Sequence, residues 1–285
     1  MALVLRSSNT KGFTLIELIT VIIVLGVVSI GVSGVIRSGM GIYADVIERD
    51  QILSESRFVV ERLNRELRQA IPNSARIKSN GSNSIQCIEF VPALWTSFYT
   101  SLSVYPEITT AATIVEFADN PAGFQLSTSD TDYAFVYPTS NDDIYNSANN
   151  KKHEVLSCTD TDDNDCSTAN SAEHTASLTL SGTFADYSPA SRLYFARYAV
   201  SYCAHNTGEI RRHQTGIDLE QTAYSSGGIL MATGLVNELT DDDELPFKIV
   251  GPSLTRNGLV NLLLAFERNE EIVNYNIEVH IPNVP

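Results

Sequence analysis

An α+β fold, with one long N-terminal helix packed on a mainly antiparallel β-sheet carrying long polar loops, follows from three observations. Residues 13–36 are apolar apart from Glu17 and contain no proline. Apolar residues then recur at helical spacing as far as residue 70. Beyond Pro72 the apolar period changes to two, the period of strands.

The first segment is long enough to cross a membrane. As a helix, residues 13–36 would reach about 36 Å, against a hydrocarbon core of roughly 30 Å. A glutamate inside such a segment costs roughly 2.5–3.5 kcal/mol on insertion scales, so Glu17 needs a reason to be there. Arg6 and Lys11 precede the apolar run. The positive-inside rule therefore places the N-terminus in the cytoplasm and everything after Arg37 outside it.

The second segment continues the helix. Ile42, Val46, Leu53, Val60, Leu63, Leu67 and Ala70 share one face. The opposite face carries both charges, with Glu61 to Arg65 and Arg62 to Glu66 at i,i+4 spacing. Such a face is more often solvated than a docking surface. Pro72 and Asn73 end the run, giving a helix roughly 85 Å long from Phe13. Gly31, Gly34, Gly39 and Gly41 sit at the junction. They suit either a local weak point or close packing of membrane helices.

Strands follow. Residues 84–92 alternate imperfectly, with Ile85 and Cys87 on one face and Ile88 and Phe90 near the other. Residues 193–203 read as one strand, His205-Asn206-Thr207-Gly208 as a turn, and residues 209–214 as the returning strand. Residues 259–268 and 272–281 form a second hairpin about Asn269-Glu270-Glu271. Residues 127–177 are rich in Ser, Thr, Asn and Asp and read as long surface loops.

Composition excludes several roles. The formal charge is −15, or −17 once residues 1–12 with Arg6 and Lys11 are removed. That balance argues against nucleic acid as a partner. The histidines show no His-Glu-x-x-His spacing, and there is no Gly-x-Ser-x-Gly or phosphate loop, so no enzyme is expected. Calcium is the only cofactor worth naming. Asp160, Asp162 and Asn164 alternate like the opening of a calcium loop, but Asp165 occupies the glycine position and Ser171 that of the bidentate glutamate. A solvated acidic loop is the preferred reading there and at Asp241-Asp242-Asp243-Glu244. Trp95, Phe98, Tyr99 and Tyr105 could stack on a sugar, although packing explains them more simply.

Four cysteines, Cys87, Cys158, Cys166 and Cys203, allow three pairings. Cys158–Cys166 would close a short polar loop and Cys87–Cys203 would join two strands. On the loop-entropy model these contribute about 2.5 and nearly 5 kcal/mol respectively. Free thiols are the alternative.

The string Gly12-Phe13-Thr14-Leu15-Ile16-Glu17, followed by the apolar run, resembles the class III signal of type IV pilins and type II secretion pseudopilins. The resemblance implies a type IV pilin fold and prepilin peptidase cleavage between Gly12 and Phe13. It also implies N-methylation of Phe13 and a register contact from Glu17 to a neighbouring subunit's terminal amine. The proline that major pilins often carry after this point is absent. Phe58-Val59-Val60-Glu61-Arg62-Leu63-Asn64-Arg65-Glu66-Leu67 and its continuation to Ser74 resemble minor pilins of the mannose-sensitive haemagglutinin (MSHA) pilus system. So do Arg197-Tyr198-Ala199-Val200-Ser201-Tyr202-Cys203 and the last eight residues from Glu278. More loosely, the chain is similar to J-type pseudopilins.

The implied organisation is a leader over residues 1–12, a membrane and filament-core helix over 13–36, an amphipathic helix over 37–72 and a periplasmic head over 73–285. The implied partners are other major and minor pilins, the peptidase/methylase and the inner membrane. The expected location is a single pass of that membrane and then the pilus. Type II secretion pseudopilin and pilus-tip adhesin are the rival functions.

Overall fold

The computed structural model describes residues 12–115, 126, 129–160, 175–250 and 258–281. The chain divides into two units, Met1–Gln51 and Ile52–Pro285. Helix α1 spans Leu15–Arg68. In the first unit every described residue is exposed, including Leu15, Ile22, Val27, Val35 and Ile42. The apolar character of this segment therefore serves no core of its own unit among the described residues. Burial along α1 begins at Ile52, ten residues later than the apolar spacing from Ile42 suggests. Ile52, Ser56, Val59, Val60, Leu63 and Leu67 then form the buried stripe.

The described residues of the second unit hold fourteen strands: β1 (Arg76–Ser79), β2 (Ile85–Phe90), β3 (Trp95–Leu102), β4 (Ala111–Val115), β5 (Tyr133–Val136), β6 (Lys152–Asp160), β7 (Thr175–Leu180), β8 (Arg192–Ala196), β9 (Ala199–His205), β10 (Ile210–Thr215), β11 (Ile229–Ala232), β12 (Phe247–Val250), β13 (Gly258–Arg268) and β14 (Glu271–Ile281). Every pairing between them is antiparallel. One sheet has the order β1-β2-β9-β10-β11 and another β12-β13-β14, while β3-β4-β7-β6-β5-β8 close into a barrel. The main core joins the α1 stripe to Phe90, Tyr202 and Ile210 of the first sheet and to Leu262, Leu264 and Phe266 of the second. A separate core fills the barrel, with Trp95, Ile114, Leu178, Leu193 and Phe195 among its members.

The imperfect alternation of β2 has a cause: all six of its residues are buried. Ile88 and Phe90 join the α1 core, while Ile85 and Cys87 pack with Cys203 under Ala223 and Tyr224. Two readings of the chain need correction. Residues 193–203 are not one strand but β8 and β9, which belong to the barrel and to the five-stranded sheet. Nor are residues 127–177 only surface loops. They supply β5, β6, the start of β7 and a short helix α2 (Asn141–Tyr145), whose N-terminus carries a reciprocal Ser140–Asp143 capping box.

Candidate functional site

The N-terminal segment is the first candidate. Gly12, Phe13 and Thr14 precede the helix, and Glu17 lies in its first turn. The Thr14 carbonyl accepts from Glu17 N at 3.1 Å and Leu18 N at 3.3 Å, closing the first turn. A carboxylate there complements the positive end of the helix dipole. Among the described residues no basic group pairs with Glu17, and from 13 to 36 it is the only charged residue. Phe13 is 79 % exposed. A Cβ added at Gly12 would meet nothing within 4 Å, and the same holds at Gly31, Gly34, Gly39 and Gly41. Among the described residues no packing calls for these glycines.

Residues 7–33 match the prokaryotic N-terminal methylation motif. This is the signal of type IV pilins and pseudopilins, and it implies processing by a prepilin peptidase. The match covers Gly12, Phe13 and Glu17, together with most of the exposed apolar stretch of α1. No curated protein and no solved structure matches the chain. α1 is also long and apolar enough to cross a membrane. The N-terminus thus carries the signal that type IV pilins and pseudopilins share, on a helix long and apolar enough to cross a membrane.

In the head, Cys87 and Cys203 face each other across β2 and β9 and are bridged, with 116 residues between them in sequence. Cys158 is buried in β6, and its expected partner Cys166 lies outside the described residues. The calcium candidates Asp162 and Asn164 also lie outside them, and Asp160 ends β6. Among the described residues no group of three acidic, histidine or cysteine side chains is arranged to hold a metal. In the loop at Asp241–Glu244, two carboxylates bond to local backbone: Asp241 Oδ1 accepts from Asp243 N at 2.9 Å and Glu244 Oε2 from Glu238 N at 3.3 Å.

The aromatic residues near Trp95 form no single surface. Trp95 stacks on Phe195 with ring centroids 4.9 Å apart inside the barrel, and Tyr99 is buried. Tyr105 is exposed. The charged face of α1 is partly built into the head. Arg62 Nε donates to Glu66 at 2.9 Å, and Arg212 Nε of β10 donates to the same carboxylate at 3.1 Å. Burial, and next the Glu66 charge, push the Tyr202 hydroxyl far up from its ordinary pKa. The expected i,i+4 pairing of Arg62 with Glu66 is thus present, but Arg212 could not be anticipated. Only the pairing of β10 within a sheet that packs on α1 brings it there.

Proposed function

We propose that this chain is a minor subunit of an MSHA-like type IV pilus, acting in priming or at the tip. In this reading residues 1–12 are removed as a leader and Phe13 becomes an N-methylated first residue. Residues 13–36 form a membrane and then filament-core helix, residues 37–72 continue it, and residues 73–285 form a periplasmic head. Partners are other major and minor pilins through that helix. The observation that carries the proposal is Glu17, the lone charge of the apolar segment 13–36, whose residues are all exposed. A carboxylate in such surroundings is unfavourable alone and favourable opposite a neighbour's new N-terminal amine, which sets subunit register. The openness around Gly12 supports the same reading, because a residue free of packing demands is free to serve as a cleavage site.

The MSHA assignment rests on the helix-end string from Phe58 and on the strings beginning at Arg197 and Glu278, which resemble the MSHA pilus biogenesis O protein. A second reading, minor pseudopilin of a type II secretion system, fits the methylation motif equally well, because both systems use it. The adhesin reading loses its aromatic surface, since Trp95 and Tyr99 are core residues.

Deleting the gene and counting surface pili tests the proposal. Pili are expected to disappear, to return with the wild-type gene, and to stay absent with Gly12→Val or Glu17→Ala. Normal pilus number with lost attachment would favour an adhesin. Normal pili with an exoprotein retained in the periplasm would favour the secretion reading.

A further inference from the structure

A groove of about 940 Å³ runs between the end of α1, the β2–β3 link, β8 and the β8–β9 link. Six arginines line it: Arg62, Arg65, Arg68, Arg192, Arg197 and Arg212. The whole chain has 19 basic residues and a formal charge of −15, so nearly a third of its basic side chains converge on one groove. The only carboxylate in the lining is Glu66, shared by Arg62 and Arg212. Arg197 pairs with Asp132 at 2.8 Å. Arg68 donates to the neutral Asn64. Arg65 and Arg192 have no carboxylate partner among the described residues, and the Nε of Arg192 is buried with no hydrogen-bond partner there.

A structural explanation covers part of this. Arg65 and Arg68 lie in the last turn of α1 and complement the negative end of its dipole. It covers Arg192 only in part: this residue of the barrel strand β8 lies with its guanidinium 5.5 Å from the Phe98 ring centroid and interacts with the Tyr194 hydroxyl, yet its Nε–H stays desolvated and unmatched among the described residues. Arg62, Arg65 and Arg68 follow at steps of three along the helix, a row of roughly 9 Å. That row is about the length of three residues of extended chain. Phe58, Leu94, Tyr194 and Tyr198 add apolar wall.

We propose that this groove docks a short carboxylate-bearing peptide segment from the head of a neighbouring subunit. Guanidinium forks match carboxylates two bonds at a time, and the Nε–H of Arg192 is a donor with no acceptor among the described residues. A short acidic segment fits better than a long polyanion, which would meet the negative field of the rest of the chain. The inference rests on the pilus-subunit reading and identifies one contact the head makes there.

The test uses the full-length mature chain in detergent micelles and a fluorescein-labelled hexaglutamate peptide, read by anisotropy. Hexaglutamate should bind, hexalysine should not, and raising salt from about 50 to about 300 mM should weaken binding. R65E/R192E should weaken it by about tenfold or more, while R57E, an exposed change on the same helix outside the groove, should leave it unchanged. R65Q/R192Q serves if the charge reversal does not fold, as judged by circular dichroism. In cells, R65Q/R192Q should lower the number of pili at normal chain level. The inference is overturned by absent binding, by an equal effect of R57E, or by tighter binding of a sulfated hexasaccharide than of hexaglutamate. Normal piliation of R65Q/R192Q would also overturn it. If deletion of the gene abolishes pili and R65Q/R192Q does not, the docking inference fails and the pilus reading stands.

Discussion

His205 and His213 lie on neighbouring strands β9 and β10, and each has a buried Nε2 with no hydrogen-bond partner among the described residues. His213 stacks on Tyr224 with centroids 4.3 Å apart. Burial lowers the pKa of both imidazoles. Around His205, Glu209 opposes that shift and Arg211 adds to it; around His213, His205 and Arg211 both add to it. His153, buried against Phe184 with its Nε2 on the Thr183 carbonyl, is lowered as well. The folded state therefore holds these rings neutral, whereas the unfolded chain protonates them near pH 6.5. Their contribution is fully present above that value and is lost as pH falls through it toward the lowered folded values. Thermal unfolding in detergent should show Tm falling as pH drops from about 7 to about 5, and the fall should be smaller in His213→Gln. A Tm that rises or stays level over that range would contradict the assignment. Asp143 acts in the same sense but at lower pH. Burial pushes it up, yet bonds from Thr139, Asn149 and Ser140 hold it below the ordinary carboxylate value.

At the scale of elements, the hairpin of β13 and β14 offers a direct test of turn chemistry. Its two central residues, Asn269 and Glu270, have φ of 52° and 64°. Two successive positive φ values make the turn whose twist matches the flanking strands, and glycine is the favoured second residue. Glu270→Gly should therefore stabilise the head by about 0.4–1 kcal/mol, measured by urea unfolding with Trp95 fluorescence. A loss of stability would show that Glu270 makes a contact worth more than its backbone strain. This hairpin and the β9–β10 hairpin were legible in the sequence, because both ends of each are set by local turn residues and alternating strands. The break between β8 and β9 was not. Residues 193–203 keep strand-like alternation throughout, and the switch at Arg197 and Tyr198 depends on distant partners. β8 pairs with β3 and β5, whereas β9 pairs with β2 and β10. The barrel strands in the polar middle were missed for a related reason. β7 buries only Ala176, Leu178 and Leu180 and fills its outer face with Ser and Thr, so composition hides a period-two pattern. The start of burial on α1 was misplaced because Ile42 and Val46 continue the apolar spacing of the buried stripe while themselves exposed.

At the scale of the molecule, two units answer to different surroundings. Ile52–Pro285 has its own cores, a closed barrel and the Cys87–Cys203 bridge, whose long loop restricts the unfolded chain by nearly 5 kcal/mol on the loop-entropy model. Met1–Gln51 has no buried residue among those described, and its apolar surface calls for lipid or neighbouring helices. The methylation motif over residues 7–33 was legible in sequence, because it lies in residue order rather than in tertiary contacts, and the roles proposed for Gly12, Phe13 and Glu17 rest on that order. The arginine groove was half legible: Arg62, Arg65 and Arg68 share a helix, but Arg192, Arg197 and Arg212 reach it only through the fold. The central claim is that this N-terminus is processed and then assembled. It is tested most directly by mass spectrometry of the N-terminal peptide from a strain with an active prepilin peptidase. The account predicts a chain that begins at Phe13 and carries one methyl group on its amine. A chain that keeps residues 1–12, or that is cut elsewhere, would contradict it.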